Sequence, residues 1–147
     1  MLAPLPPSDG TRHAQHSRLI LIEDDESVRR SMTMLMRARG YQVDAFRSGA
    51  EFLTMRGRHG GHCLLIDYKM PRMDGLEVLR RLRSNEDQTP AIMITGFYSN
   101  SLHQRALEAG FKNVIEKPAP PEQLLAKIGE AVSQQRGFST EWDGEDE

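Results

Sequence analysis

The sequence predicts an α/β protein: a three-layer (βα)5 arrangement around a five-stranded parallel sheet. Three observations predict it. Short apolar runs at 19–22, 63–67, 91–95 and 113–117 are bounded by polar residues, as strands buried on both faces are. Between them lie segments whose apolar residues recur at helical spacing. The two kinds of segment alternate regularly, and strands that alternate with helices form parallel sheets covered on both sides.

Each element has its own signal. "LILI" (19–22) is the first strand, and Val28, Met32, Leu35 and Met36 mark a helix that stops before Gly40. "YQVDAF" (41–46) alternates like a strand near a sheet edge, and "GAEFLTMRG" predicts a short helix. "CLLID" (63–67) is the next buried strand, followed by a helix through Leu76, Leu79 and Leu82. "AIMIT" (91–95) precedes the helical "SNSLHQRALEAG", which Gly110 ends. "NVIEK" (113–117) is the fifth strand. Prolines open the final amphipathic helix, which carries Leu124, Leu125, Ile128 and Val132. No internal repeat is visible. Residues 1–17 predict a flexible leader, 18–136 the folded domain, and 137–147 an acidic flexible tail.

Composition narrows the function. A chain of 147 residues has room for one core, and a net charge of −2 argues against a nucleic-acid or membrane surface. Five acids lie in the tail, so the rest of the chain is net positive. One cysteine, Cys63, fits a reducing compartment, and it reads as a small core residue. The leader lacks the pattern of a secretory signal, and no apolar run is long enough to span a bilayer. The expectation is a soluble, cytoplasmic protein.

The ends of the strands carry the chemistry. In an open parallel sheet a site forms outside the carboxyl ends of the strands. Here those ends supply Glu23-Asp24-Asp25, Asp67, Thr95 and Lys117. A lone carboxylate after a buried strand is costly, so Asp67 requires partners from other strands. Clustered carboxylates suit a hard divalent cation such as Mg²⁺, which takes oxygen ligands and then meets phosphate oxygens. Lys117 offers a point charge and Thr95 a hydroxyl for a phosphoryl group, while Gly96 leaves the approach open. A carboxylate so flanked is suited to act as a nucleophile.

Four pieces in order, "LILIEDDESVRR", "LLIDYKMPRMDG", "AIMITG" and "IEKPAP", resemble the response-regulator receiver domain of two-component signalling over roughly residues 18–136. The resemblance implies a flavodoxin-like topology with strand order 2-1-3-4-5. It makes Asp67 the phosphoacceptor, Thr95 the switch hydroxyl and Lys117 the phosphate-contacting lysine. It makes Glu23 and Asp24 the acidic pair for Mg²⁺, with Asp67 and the Lys69 backbone carbonyl as further ligands. Asp24 with Asp25 is the alternative register for that pair. It also implies a cis Lys117–Pro118 bond. Lys69 and Phe97 stand at the two positions that flank the path of an attacking water in such domains. Two departures are evident: Val114 and Ala119 occupy positions where similar domains often carry an aromatic residue.

The implied function is a response regulator, expected to stand alone, that is not an enzyme beyond its own phosphoryl transfer and hydrolysis. Its expected partners are a sensor histidine kinase or histidine phosphotransfer protein and a downstream protein, with neither DNA nor membrane bound directly. Two competing functions fit less well. Haloacid-dehalogenase-type phosphatases resemble this pattern but place a second acid where this chain has Lys69. A flavodoxin-like nucleotide binder needs a phosphate loop after the first strand, and "EDDESVRR" repels phosphate. "HGGHC" (59–63) offers too few ligands for a zinc site. His13, His16 and His103 show no partner in sequence, and Arg29, Arg30, Arg37 and Arg39 read as a solvated helix face.

Overall fold

Both faces of the central strands demand cover, and the chain supplies it with helices on each side. A computed structural model describes residues 17–55 and 61–145, with side chains to Ser133. The order is β1 (Arg18–Ile22), α1 (Glu26–Ala38), β2 (Gln42–Phe46), α2 (Gly49–Met55), β3 (Cys63–Asp67), α3 (Gly75–Ser84), β4 (Ala91–Thr95), α4 (Asn100–Ala109), β5 (Asn113–Glu116) and α5 (Pro121–Glu145). All strand pairs are parallel, and the sheet order is β2-β1-β3-β4-β5. The predicted fold class and strand order are therefore those of the molecule.

Alternation along the strands divides the core in two. Ile20 and Ile22, Leu64 and Ile66, and Ala91 and Met93 face the layer of α2, α3 and α4, where Phe52, Leu79 and Leu102 meet them. Leu19 and Leu21, Cys63 and Leu65, and Ile92 and Ile94 face α1 and α5, where Met36, Leu124 and Ile128 pack. Every residue of β3 and β4 is buried. Truncating one of these side chains to alanine typically costs about 2–5 kcal/mol. β2 lies at the edge, so its burial alternates and its sequence does too.

Local signals set the helix ends. Asp25, Asp74 and Ser99 are the N-caps of α1, α3 and α4, each side chain accepting from a backbone N–H three residues on. Gly110 closes α4 in the left-handed region at φ 113°, which glycine adopts without penalty. Gly75 serves a different need: a Cβ there would lie 2.6 Å from the Asp67 carbonyl oxygen.

Some boundaries shift. β5 ends at Glu116, so Lys117 is the first residue beyond it rather than its last. α5 continues to Glu145, past the sequence-based end at 136. The leader before Ser17, and with it His13 and His16, lies outside the described residues, as do His59 and the side chains of the acidic tail.

Candidate functional site

Register brings the strand ends together. Ile22 pairs with Ile66, so the residues that follow, Glu23 and Asp67, emerge side by side. Asp67 pairs with Ile94, and Thr95 with Glu116, which sets Lys117 at the same edge. β1 and β3 feed helices on opposite faces, so this edge is the switch point where an open parallel sheet forms its crevice.

The pairing that Asp67 requires is present. Asp67 is only 7% exposed, and the Lys117 ammonium lies 3.3 Å from its Oδ1. The same Nζ donates to Glu23 Oε1 at 2.7 Å. Glu23 is buried as well, and its Oε2 accepts from the Asp25 N–H at 3.1 Å. Asp24 is exposed, yet its carboxylate joins those of Glu23 and Asp67 in a group whose atoms lie within 4.8 Å of one another. Two sides of the site thus differ in access: Glu23 and Asp67 form the floor, and Asp24 the rim.

Burial and charge crowding act together on Asp67. Burial, then the charge and hydrogen bond of Glu23, push the Asp67 carboxyl up to about 7 against the opposing pull of Lys117. Burial acts to lower the Lys117 pKa, but its hydrogen bond to Glu23 and the two carboxylate charges outweigh that, and the net shift is upward. One ammonium therefore serves two buried carboxylates that together carry more negative charge than it offsets. An all-oxygen set with excess negative charge and one exposed member is suited to a hard divalent cation.

Thr95 is fully buried at the end of β4, and its Oγ1 accepts from the Phe97 N–H at 2.8 Å. The Thr95 carbonyl accepts from the Lys117 N–H at 2.8 Å, which ties the hydroxyl and the ammonium to one backbone frame. Lys69 is exposed, with its Nζ 4.4 Å from the centroid of the Phe97 ring, and Phe97 itself is 59% exposed. The two side chains expected to flank the site are thus in contact with each other. The Lys117–Pro118 bond is cis. Val114 packs against the core layer of α2, α3 and α4, and Ala119 against that of α1 and α5.

Several roles were not legible in the sequence. Asp25 is occupied as the cap of α1, and the carboxylates that converge are those of Glu23, Asp24 and Asp67. Arg29 is not merely solvated: its Nη1 donates to the Glu23 carbonyl at 2.9 Å, and Arg37 donates to the Val43 carbonyl at 2.8 Å. His103 does have a partner, the Tyr98 hydroxyl at 2.8 Å. An apolar groove of about 680 Å³, lined by Val28, Met32, Leu35, Pro118 and Leu124, shares Lys117 with the site. Cys63 is a buried core thiol, and burial pushes its pKa up to about 12.

Comparison with known proteins agrees with this geometry. The sequence profile of the response regulator receiver domain matches residues 19–129. Response regulator MprA of Mycobacterium leprae is 39% identical over 111 residues, covering 76% of this chain and 49% of that protein. The chain thus spans about half the length of the curated relatives it matches. A CheY-like response regulator receiver domain protein from Methanospirillum hungatei superimposes with a TM-score of 0.78 at 29% identity, over 83% of this chain and 98% of that one. The receiver domain of Francisella response regulator 1452 shares the fold at 20% identity, with a TM-score of 0.78 over 82% of this chain and 99% of that one.

Proposed function

The chain belongs to the response-regulator receiver family of two-component signalling, and from that premise we propose that Asp67 accepts a phosphoryl group from a phosphohistidine donor. The observation that carries this is the convergence of Glu23, Asp24 and Asp67 within 4.8 Å, with Lys117 bridging two of them. An Asp67 oxygen attacks phosphorus, the P–N bond to the donor imidazole breaks, and that nitrogen leaves with the bond's electron pair and takes a proton. Lys117 compensates charge on the phosphoryl oxygens, and the Thr95 hydroxyl turns from the Phe97 N–H to donate to one of them. Water later attacks phosphorus, the P–O bond to Asp67 breaks, and inorganic phosphate leaves with the carboxylate restored. The chain catalyses only these two steps on itself.

Glu23, Asp24, Asp67 and the Lys69 carbonyl would hold Mg²⁺. The ion would supply positive charge to the phosphoryl oxygens. The residues fit it, because the carboxylates are close, uniformly oxygen donors and only partly compensated by Lys117.

The expected partners are a sensor histidine kinase or histidine phosphotransfer protein, which can approach beside Lys117 over the apolar groove, and a downstream protein that senses the altered surface. A cytoplasmic location accords with this role. Among the described residues no helix is long and apolar enough to cross a membrane. The proposal concerns the receiver itself and holds whether or not further domains accompany it.

Labelling with a small acyl-phosphate donor tests it. Wild type is expected to be labelled in Mg²⁺ and not after chelation, and Asp67→Asn not at all. Equal labelling of the mutant, or of chelated protein, would refute it.

A further inference from the structure

We propose that Arg29 is a positioning residue for the cation site, holding the two peptide groups from which Glu23 and Asp24 project. The inference rests on the cation-binding role proposed above for those carboxylates. The need arises from how β1 passes into α1. The helix begins at Glu26, and the Asp25 carbonyl accepts the Arg29 N–H at 2.9 Å as the first rung of its ladder. The carbonyls of Glu23 and Asp24 precede that ladder, so no helical N–H reaches them. Arg29 supplies the missing donor: its Nη1 lies 2.9 Å from the Glu23 oxygen and 3.4 Å from the Asp24 oxygen. The Glu23 side chain is also held by Lys117 and by the Asp25 N–H. Asp24 is exposed, and the Arg29 guanidinium is what reaches its carbonyl from the helix. With the guanidinium removed, the Asp24 carboxylate would have to be ordered by the cation itself, and binding would weaken.

A second effect runs the opposite way, and the two can be separated by sign. The guanidinium is a positive charge near a cation site, so removing it by charge alone would tighten cation binding. If position dominates, removal weakens binding instead. Partners that orient metal ligands typically contribute 10–100-fold in affinity. An Arg with one part-buried carbonyl contact and one longer, exposed contact belongs at the low end of that range.

The test is calorimetric titration of the full chain with MgCl₂, for wild type, Arg29→Met and Arg29→Lys, with melting temperatures recorded without Mg²⁺. Arg29→Met is expected to bind about tenfold more weakly than wild type. Arg29→Lys, which keeps a donor on a flexible stem, is expected to recover part of that loss while melting close to wild type. Unchanged or tighter binding by Arg29→Met overturns the inference and leaves the cation site standing. So does weaker binding that merely tracks a lowered melting temperature. If Arg29→Met does not fold, Arg29→Lys and Arg29→Gln decide: Lys must bind more tightly than Gln, and the reverse order overturns the inference. Absence of binding by wild type overturns the cation site and this inference together.

Discussion

Glu23, Asp67 and Lys117, which follow or end β1, β3 and β5, form a paired half of the site largely withdrawn from solvent, with Lys117 no more than 3.3 Å from either carboxylate. Phe97 and Tyr98 after β4, with Lys69 after β3, form an exposed half that lies on the surface in a cation–π contact and a phenol–imidazole hydrogen bond. The two halves meet at Thr95, whose hydroxyl is buried yet bonded to the backbone of exposed Phe97. The difference separates tasks. Phosphoryl chemistry needs charges fixed in a low dielectric, where their interactions are strong. Exposed contacts worth about 0.5–1 kcal/mol can rearrange when one hydroxyl changes partner. Val114 lacks the aromatic ring found at its position in similar domains, so the surface change is expected to centre on residues 96–98.

Breaking the paired half should cost most. Lys117→Met leaves Glu23 and Asp67 buried without their shared cation. Unfolding in urea at pH 8 is expected to show a loss of about 3 kcal/mol, the scale for removing one partner of a buried pair. A change below about 0.5 kcal/mol would mean that the carboxylates do not depend on it.

Asp67→Asn tests the same half by pH. The folded-state pKa of Asp67, about 7, lies above its ordinary value. The stability this proton confers is therefore fully present below about pH 4 and is lost as pH rises through 7. In the absence of Mg²⁺, Asp67→Asn should exceed wild type by about 2 kcal/mol at pH 8, a figure reduced from the full shift because Glu23 shares the lysine. The gap should narrow toward pH 5. A mutant less stable than wild type at pH 8 would contradict the upward shift of Asp67 and show that its pairing with Lys117 outweighs burial and the Glu23 charge.

The surface half should affect lifetime rather than stability. Phe97 is expected to shield the approach of water, and Lys69 to pair with a phosphoryl oxygen. The double change Lys69→Asn with Phe97→Glu is expected to speed loss of the phosphoryl group about tenfold, the equivalent of ~1.4 kcal/mol. Decay after donor removal, in Mg²⁺, measures it, and decay no faster than wild type would show that these side chains do not guard the site. The smallest effect belongs to Tyr98→Phe. Loss of an exposed hydrogen bond to His103 should alter stability by less than about 0.5 kcal/mol, and a thermal melt that shifts by several degrees would place Tyr98 in the paired half after all.

β3 and β4 were legible to the residue because each is an apolar run closed by a single polar residue, Asp67 or Thr95, and both faces are buried. The carboxylates could be placed by one rule, since strand ends in a parallel sheet share an edge. What could not be read depended on contacts that sequence does not encode locally. Lys117 reaches Glu23 across 94 positions, and nothing in "EDDESVRR" tells which acid it will choose. Asp25 could have been recognised as a helix cap three residues before Val28, which favours Glu23 and Asp24 as the converging acids. Arg29 was hidden by composition: an arginine on a polar helix face looks solvated until the loop carbonyls beside it are seen.

In the proposed function one carboxylate, Asp67, receives the phosphoryl group while its neighbours only hold charge. Reducing the phosphorylated protein with borohydride converts an acyl phosphate to an alcohol, and peptide mass spectrometry then locates the converted aspartate. Conversion is expected at position 67 alone, dependent on Mg²⁺ during phosphorylation. Conversion at Asp24 or Asp25, or none at Asp67 in protein that carries label, would contradict it.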